Sequence, residues 1–283
     1  MSKTKIAASV KRRSTGRILG TAALALAAVL ISGANAKANT VIVTPTNFPS
    51  SNWSTDITRG NPSYNTNGVA KFSSVHDALS ENGSFELSMP ADPDKATLFH
   101  LGGDGLTLAT LIGGGNNLGF EYFRDSTSTA ANIDAPAFRL YFGTLKPQLV
   151  WEASYNGITP TNTVPTNSWQ KKDILGGIFW KYDSLGNHNT PGEAKTLKDW
   201  LGDTSNTAPT GAILGYSLGV GSGWGGSYKG YVDNVTFGTT TTNFENVAAA
   251  PEPSQWAGLG FTAFGALGLI LKARKKKSAV SAS

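Results

Sequence analysis

The sequence predicts an all-β domain, an antiparallel sandwich with one short helix, set between an N-terminal signal helix and a C-terminal transmembrane helix. Three observations lead there. Apolar residues recur at every second position over several stretches, the period of a half-buried strand. Clusters of Gly, Asn and Pro separate those stretches, as turns require. The composition is rich in Gly (33), Phe (13), Tyr (8) and Trp (7) and contains no Cys in 283 residues, so packing and not disulfides must hold the domain together.

From the N-terminus, residues 1–36 read as a secretory signal peptide. They carry six basic residues, the last being Arg17, and no acid. An apolar run from Ile18 to Ile31 follows, and Ala34-Asn35-Ala36 supplies the small residues that signal peptidase accepts. Fourteen residues make roughly 21 Å of helix, short for a hydrocarbon core of about 30 Å. Cleavage is expected after Ala36, with cleavage after Ala38 as the alternative.

The expected exported domain spans residues 37–247. Its strands are read from Phe85, Leu87 and Met89; from Leu118, Phe120 and Tyr122; from Phe138, Leu140 and Phe142; from Leu149, Trp151, Ala153 and Tyr155; and from the stretch 174–182 with Ile178 and Trp180 on one face. Each has one apolar and one mixed face, as antiparallel sheets show when one side meets solvent. No repeat of about 20–50 residues is visible, which disfavours a solenoid or propeller. Thr190-Pro191-Gly192-Glu193 combines a capping Thr, a proline at the first helical position and a Glu at the capping-box position. A helix is therefore expected over 191–201, docked by Leu197 and Trp200. A final hairpin is expected from Ala212, Leu214, Tyr216, Leu218 and Val220 through a Gly-rich loop to Tyr228–Phe237. Its apolar parity switches between Val232 and Val235, which predicts a β-bulge near Asp233-Asn234.

Residues 248–283 form a distinct tail. Pro251-Glu252-Pro253 precedes an uncharged apolar run from Trp256 to Leu271, followed by Lys272, Arg274, Lys275, Lys276 and Lys277. Sixteen residues give roughly 24 Å of helix, enough to span once Lys272 snorkels and flanking residues complete the length. Trp256 stands where an interfacial aromatic belongs, and the basic cluster faces the cytoplasm by the positive-inside rule. Both chain ends then start from the cytosolic side and residues 37–250 lie outside.

Net charge supports the same division. The chain carries +5, but residues 37–250 hold 13 basic and 18 acidic residues, a net −5, so the basic excess lies wholly in the ends. A nucleic-acid partner is thereby disfavoured.

Pro-Glu-Pro, a short transmembrane helix and a terminal Arg/Lys cluster, in that order, resemble the sorting signal of PEP-CTERM proteins, which occur in Gram-negative bacteria that make exopolysaccharide. The resemblance implies recognition by an exosortase, processing near Pro251-Glu252-Pro253, and delivery from an inner-membrane precursor to the cell surface or extracellular matrix. The run from the helix through LGVGSGW to YVDNVTFG also resembles the closing segment of PEP-CTERM proteins with jelly-roll, concanavalin-like sandwiches, several of which bind carbohydrate.

The chemistry-bearing residues are few. The absence of Cys excludes thiol catalysis, Cys-ligated zinc and iron–sulfur centres. His76, His100 and His188 are far apart in sequence and read as lone surface histidines, not as ligands or catalytic bases. No cofactor is implied. Asp92, Asp94, Asp104 and Asp233 are candidates for a structural calcium ion, although the spacing of an EF-hand loop is missing and solvated turn aspartates are the simpler reading. Gly113-Gly114-Gly115 lacks the Lys-Ser/Thr of a phosphate loop and reads as a turn. Trp224, flanked by glycines, is a candidate for stacking on a sugar ring, against the plainer reading that it plugs one end of the sandwich. The predicted function is therefore a non-enzymatic surface or matrix protein, with signal peptidase, exosortase and exopolysaccharide as partners. The alternatives are a purely structural or adhesive sandwich and a carbohydrate-active enzyme using Glu121 and Glu152.

Overall fold

The computed structural model describes residues 39–55, 67–76, 82–143, 147–182, 193–204, 209, 211–221 and 223–246. All belong to the compact unit that begins at Ala38. The expected signal peptide with Ala34 and Ala36, His188, the Thr190 cap, and the whole tail from Pro251 through Lys277 lie outside the described residues.

In chain order the elements are β1 (Asn39–Val43), β2 (Trp53–Ser54), β3 (Val69–Ser73), β4 (Ser84–Met89), β5 (Lys95–Leu101), α1 (Leu108–Gly113) and β6 (Asn117–Arg124). There follow β7 (Ala137–Phe142), β8 (Pro147–Trp151), β9 (Trp169–Asp173), β10 (Ile178–Lys181), β11 (Lys195–Thr196) and α2 (Leu197–Leu201). The chain then forms β12 (Ile213–Gly221), β13 (Tyr228–Gly238) and β14 (Thr240–Phe244). Among the described residues the strands make two seven-stranded sheets, the two-layer, all-β sandwich predicted from periodicity.

The first sheet is built on β13. One edge of this strand pairs with β6, which carries β9 beyond it. The other edge is shared: Tyr228–Val232 pair with β4, and Val235–Phe237 pair with β14. β3 lies outside β4, and β1 runs parallel to β14. The second sheet has the order β11-β10-β8-β7-β12-β5-β2.

Strand parity explains the core. Phe85, Leu87 and Met89 from β4, Leu118, Phe120 and Tyr122 from β6, and Phe138, Leu140 and Phe142 from β7 are all buried in one cluster between the sheets. Tyr216 from β12 stacks on Phe138 at 5.6 Å and on Phe237 of the opposite sheet at 4.5 Å, so aromatic rings interlock across the layers. The bulge expected near Asp233-Asn234 is present: the β13–β6 register slips between Asp233 and Thr236, and Asn234 takes a left-handed φ of 46°. Val232, Val235 and Phe237 consequently all face the core.

Several expectations are corrected. The helix begins at Leu197, not at 191, because Lys195 and Thr196 pair with β10 and the Thr196 side chain caps the Asp199 amide. Leu197 and Trp200 do dock it, and Trp200 Nε1 donates to the Phe179 carbonyl at 3.0 Å. A second short helix, α1, was not expected. Thr107 and Thr110 cap it reciprocally, and it stops at Gly114, so the glycine run 113–115 is a helix terminus. The β8 alternation ends at Trp151, and Ala153–Tyr155 form a 3₁₀ turn. In β10 the core residue is Phe179; Ile178 is half-buried, and Trp180 joins Ala137 and Val150 on the outer face. A register slip between Ile213 and Gly215 buries Ile213 and leaves Leu214 exposed, so Leu214 does not share the Tyr216 face. Finally, β12 and β13 are not a hairpin. They are central strands of different sheets, and the Gly-rich loop between them crosses from one layer to the other.

Phe138 is fully buried. Phe138→Ala should cost about 3–5 kcal/mol in denaturant unfolding, whereas Val75→Ala, at a residue 66% exposed, should change stability by less than about 0.5 kcal/mol.

Candidate functional site

Because Leu118, Phe120 and Tyr122 fill the core, the alternate β6 residues Gly119, Glu121 and Phe123 face outwards. Register aligns them with β9 and β13 into three rows across the sheet. Trp169, Phe123 and Tyr231 form an aromatic row. Lys171, Glu121 and Asp233 form the second. Asp173, Gly119 and Thr236 form the third, small and polar.

The second and third rows border a groove of about 440 Å³ lined by Asn117, Gly119, Glu121, Lys172, Thr236 and Thr241, among others. Gly119 makes the dip. A methyl group there would sit 2.5 Å from the Lys172 carbonyl oxygen, so close approach of β9 to β6 requires glycine. Glu121, 9% exposed, lies 3.6 Å from the Lys171 ammonium and accepts from Asn234 Nδ2 at 3.2 Å. The bulge thus delivers Asn234 to the site. Thr236 and Thr241 hydroxyls meet at 2.9 Å.

Asp233, directly opposite Glu121, does not open onto this groove. It is 1% exposed, and its Oδ1 accepts from the amides of Asn234 (2.8 Å) and Phe244 (2.9 Å). Burial pushes its carboxyl from 3.8 up to about 8; the two amides oppose the rise, and Glu245 and Glu121 add to it.

In the aromatic row, Phe123 stands 5.9 Å from Trp169 and 6.0 Å from Tyr231. His76 lies over Phe123 at 4.1 Å, nearly parallel, and against Tyr231 at 4.6 Å. Burial lowers the His76 pKa, which favours the neutral ring. His100 is likewise packed, stacked on Tyr216 at 4.7 Å and edge-on to Trp53 at 4.9 Å. Neither is the isolated surface histidine that sequence suggested, because strand pairing brings aromatic rings to both.

Other predicted residues lie elsewhere. Glu152 follows β8 in the second sheet, where its Oε2 accepts from Trp180 Nε1 at 3.2 Å on the outer face. Glu121 and Glu152 therefore stand on outer faces of opposite sheets and are not brought together. Trp224 is half-buried and folds edge-on against Tyr228 at 5.1 Å, covering one end of the core. The aspartates engage groups of other segments: Asp92 Oδ1 accepts from the Gly223 amide at 2.7 Å, and Asp94 Oδ1 accepts from Asn67 Nδ2 at 3.0 Å. Asp104 takes a left-handed turn conformation. Among the described residues, no group of three or more His, Asp or Glu could hold a metal ion.

Sequence reasoning overlooked Arg124. Although 3% exposed, its guanidinium donates to the carbonyls of Ala130 (2.7 Å), Ala131 (2.7 Å) and Asp134 (2.8 Å), and so fixes the 125–136 loop beside Trp224. Burial holds the nearby Asp134 carboxyl up at about 6, with Arg124 opposing and Glu152 adding. A lone Arg ending an alternating strand was the available signal.

The Asp233 shift fixes a pH dependence. Between about pH 4 and 8 the unfolded chain has this carboxyl ionised while the folded chain keeps its proton, so stability falls as pH rises through that window and levels off above it. Asp233→Asn retains an oxygen for both amides and cannot ionise. Its stability relative to the parent should therefore climb from pH 4 to pH 8 in urea titrations; a difference that is flat with pH would contradict the assignment.

Comparison with protein-family models, with curated proteins and with solved structures finds no match for this chain.

Proposed function

We propose that this chain is an exported bacterial protein of the cell surface or extracellular matrix, sorted through a PEP-CTERM tail, whose sandwich acts without catalysis and associates with carbohydrate. The observation that carries the sorting reading is the order of the tail: Pro251-Glu252-Pro253, the uncharged run Trp256–Leu271, then the basic cluster 272–277, in a chain that opens with a signal-peptide pattern. Signal peptidase and an exosortase are the processing partners on this reading. The protein is an inner-membrane-tethered precursor before it is released.

We further propose that the sandwich is of the jelly-roll, concanavalin-like type. The ribbon formed by β4 with β13 continues, across the sandwich, as the ribbon of β5 with β12. One two-stranded ribbon thus contributes to both sheets, which is how a jelly roll is wound.

The groove supports binding more than catalysis. Glu121 is engaged by Lys171 and Asn234, and the neighbouring Asp233 is turned towards backbone amides. Asp173, the other carboxylate in the lining, is exposed and accepts from the Leu175 amide at 3.1 Å, away from the desolvated setting that a general acid requires. Amides, hydroxyls, ammonium groups and a fixed carboxylate are the groups that hydrogen-bond sugar hydroxyls.

The sorting reading predicts that the surface form in the producing bacterium has lost its C-terminal segment, as read by mass spectrometry. Replacing Pro251-Glu252-Pro253 with alanines should leave the complete tail attached and the protein in the membrane fraction. An intact C-terminus on the wild-type surface form would contradict it.

A further inference from the structure

We infer that Trp169 and the dip over Gly119 form one continuous strip on the outer face of the first sheet that takes a neutral polysaccharide chain, with Trp169 and not Trp224 as the stacking ring; this rests on the carbohydrate reading above. Trp169, half-exposed, stands at the start of edge strand β9. It shares its outward face with Lys171 and Asp173, which border the groove two and four residues further on. Successive rows are therefore roughly 7 Å apart along the strands, so a chain lying along β9 and β6 meets an aromatic platform first and a polar cradle next. The C–H face of a pyranose is apolar and packs on an indole. Phe123 and Tyr231 are buried and His76 packs on both, which leaves Trp169 as the half-exposed ring of that row.

The cradle offers both donors and acceptors. Asn117 and Asn234 present amides, Thr236 and Thr241 hydroxyls, Lys171 an ammonium group, and Glu121 a carboxylate held in place. A polyhydroxylated ligand, each of whose hydroxyls both donates and accepts, matches such a lining. Charge selects the class. On the outward face the carboxylates of Glu121 and Asp173 meet one ammonium group, that of Lys171, and residues 37–250 carry a net −5. A polyuronate would meet long-range repulsion with no basic surplus to receive it, whereas an uncharged glycan pays no such penalty. Trp224, by contrast, lies edge-on to Tyr228 at the end of the sandwich and is packed against the core.

Affinity electrophoresis of the full-length chain in a non-glycosidic detergent tests this. The gels contain hydroxyethylcellulose, xylan, galactomannan or dextran as neutral probes, and alginate or polygalacturonate as acidic ones. At least one neutral polymer should retard the protein and neither acidic polymer should. Trp169→Ala and, as a near-isosteric second variant, Glu121→Gln should each weaken retardation about tenfold or more, the scale of one lost stacked ring or charge-assisted bond. Trp224→Ala should retain it, and melting curves establish that each variant is folded. Retardation that persists in Trp169→Ala and Glu121→Gln, or vanishes in Trp224→Ala, overturns this site while leaving the carbohydrate reading intact. Retardation by the acidic polymers overturns the neutral class. No retardation by any polymer overturns both the site and the carbohydrate reading, and leaves the sorting proposal standing.

Discussion

One strand, β13, must satisfy three neighbours, and the bulge at Asp233-Asn234 is how it does so. Along one edge β13 pairs with β6 from Gly230 to Gly238, slipping register once, while along the other it changes partner from β4 to β14. A partner change midway through a sheet would leave backbone groups unpaired at the joint, and each buried, unpaired amide costs on the order of 1–3 kcal/mol. Here side chains fill the gap. Asp233 Oδ1 takes the Phe244 amide at 2.9 Å, and Glu245 Oε2 takes the Asn82 amide at 2.7 Å, tying the end of β14 to the approach to β4. The bulge also absorbs the extra residue between the two apolar phases, so that Val235 and Phe237 reach the same core as Tyr228 and Val232. In a regular ladder over the same residues, the second half of the strand would turn its apolar face to solvent.

The same irregularity shapes the candidate site. Asn234, in its left-handed conformation, reaches Glu121, and the register slip sets Thr236 opposite Gly119 at the floor of the groove. A regular ladder would place another side chain there. Bulges often re-aim residues beside binding sites, and this one joins a buried acid that secures the fold to an exposed face where a ligand can lie.

The bulge was legible in the sequence because both halves of β13 are strongly apolar and their phases disagree. The slip between Ile213 and Gly215 was hidden by the same logic: Leu214 is apolar and in phase with Tyr216, so nothing local betrays that Ile213 takes its place in the core. Pairings between distant segments were illegible altogether. Nothing in the residues around Glu121 and Glu152 says that they belong to different sheets, nor that β12 and β13 part company across a Gly-rich loop that looks like a hairpin turn. The α2 boundary moved because pairing of Lys195 and Thr196 with β10 outweighs helical propensity at those positions. The place of Trp169 in a row with Phe123 and Tyr231 exists only through strand register.

The domain is thus a sandwich whose central strand is interrupted by design, and the interruption holds both the core parity and the outward groove. Asn234→Val, with Asn234→Gly as the control, tests this most directly, with near-UV circular dichroism and thermal unfolding as the readout. Asn234→Val should weaken the fixed aromatic signal and lower the melting temperature, because a β-branched residue resists the left-handed φ of 46° through which Val235 and Phe237 reach the core, whereas Asn234→Gly should keep both. An Asn234→Val variant with the parent's aromatic signal and melting temperature would contradict it.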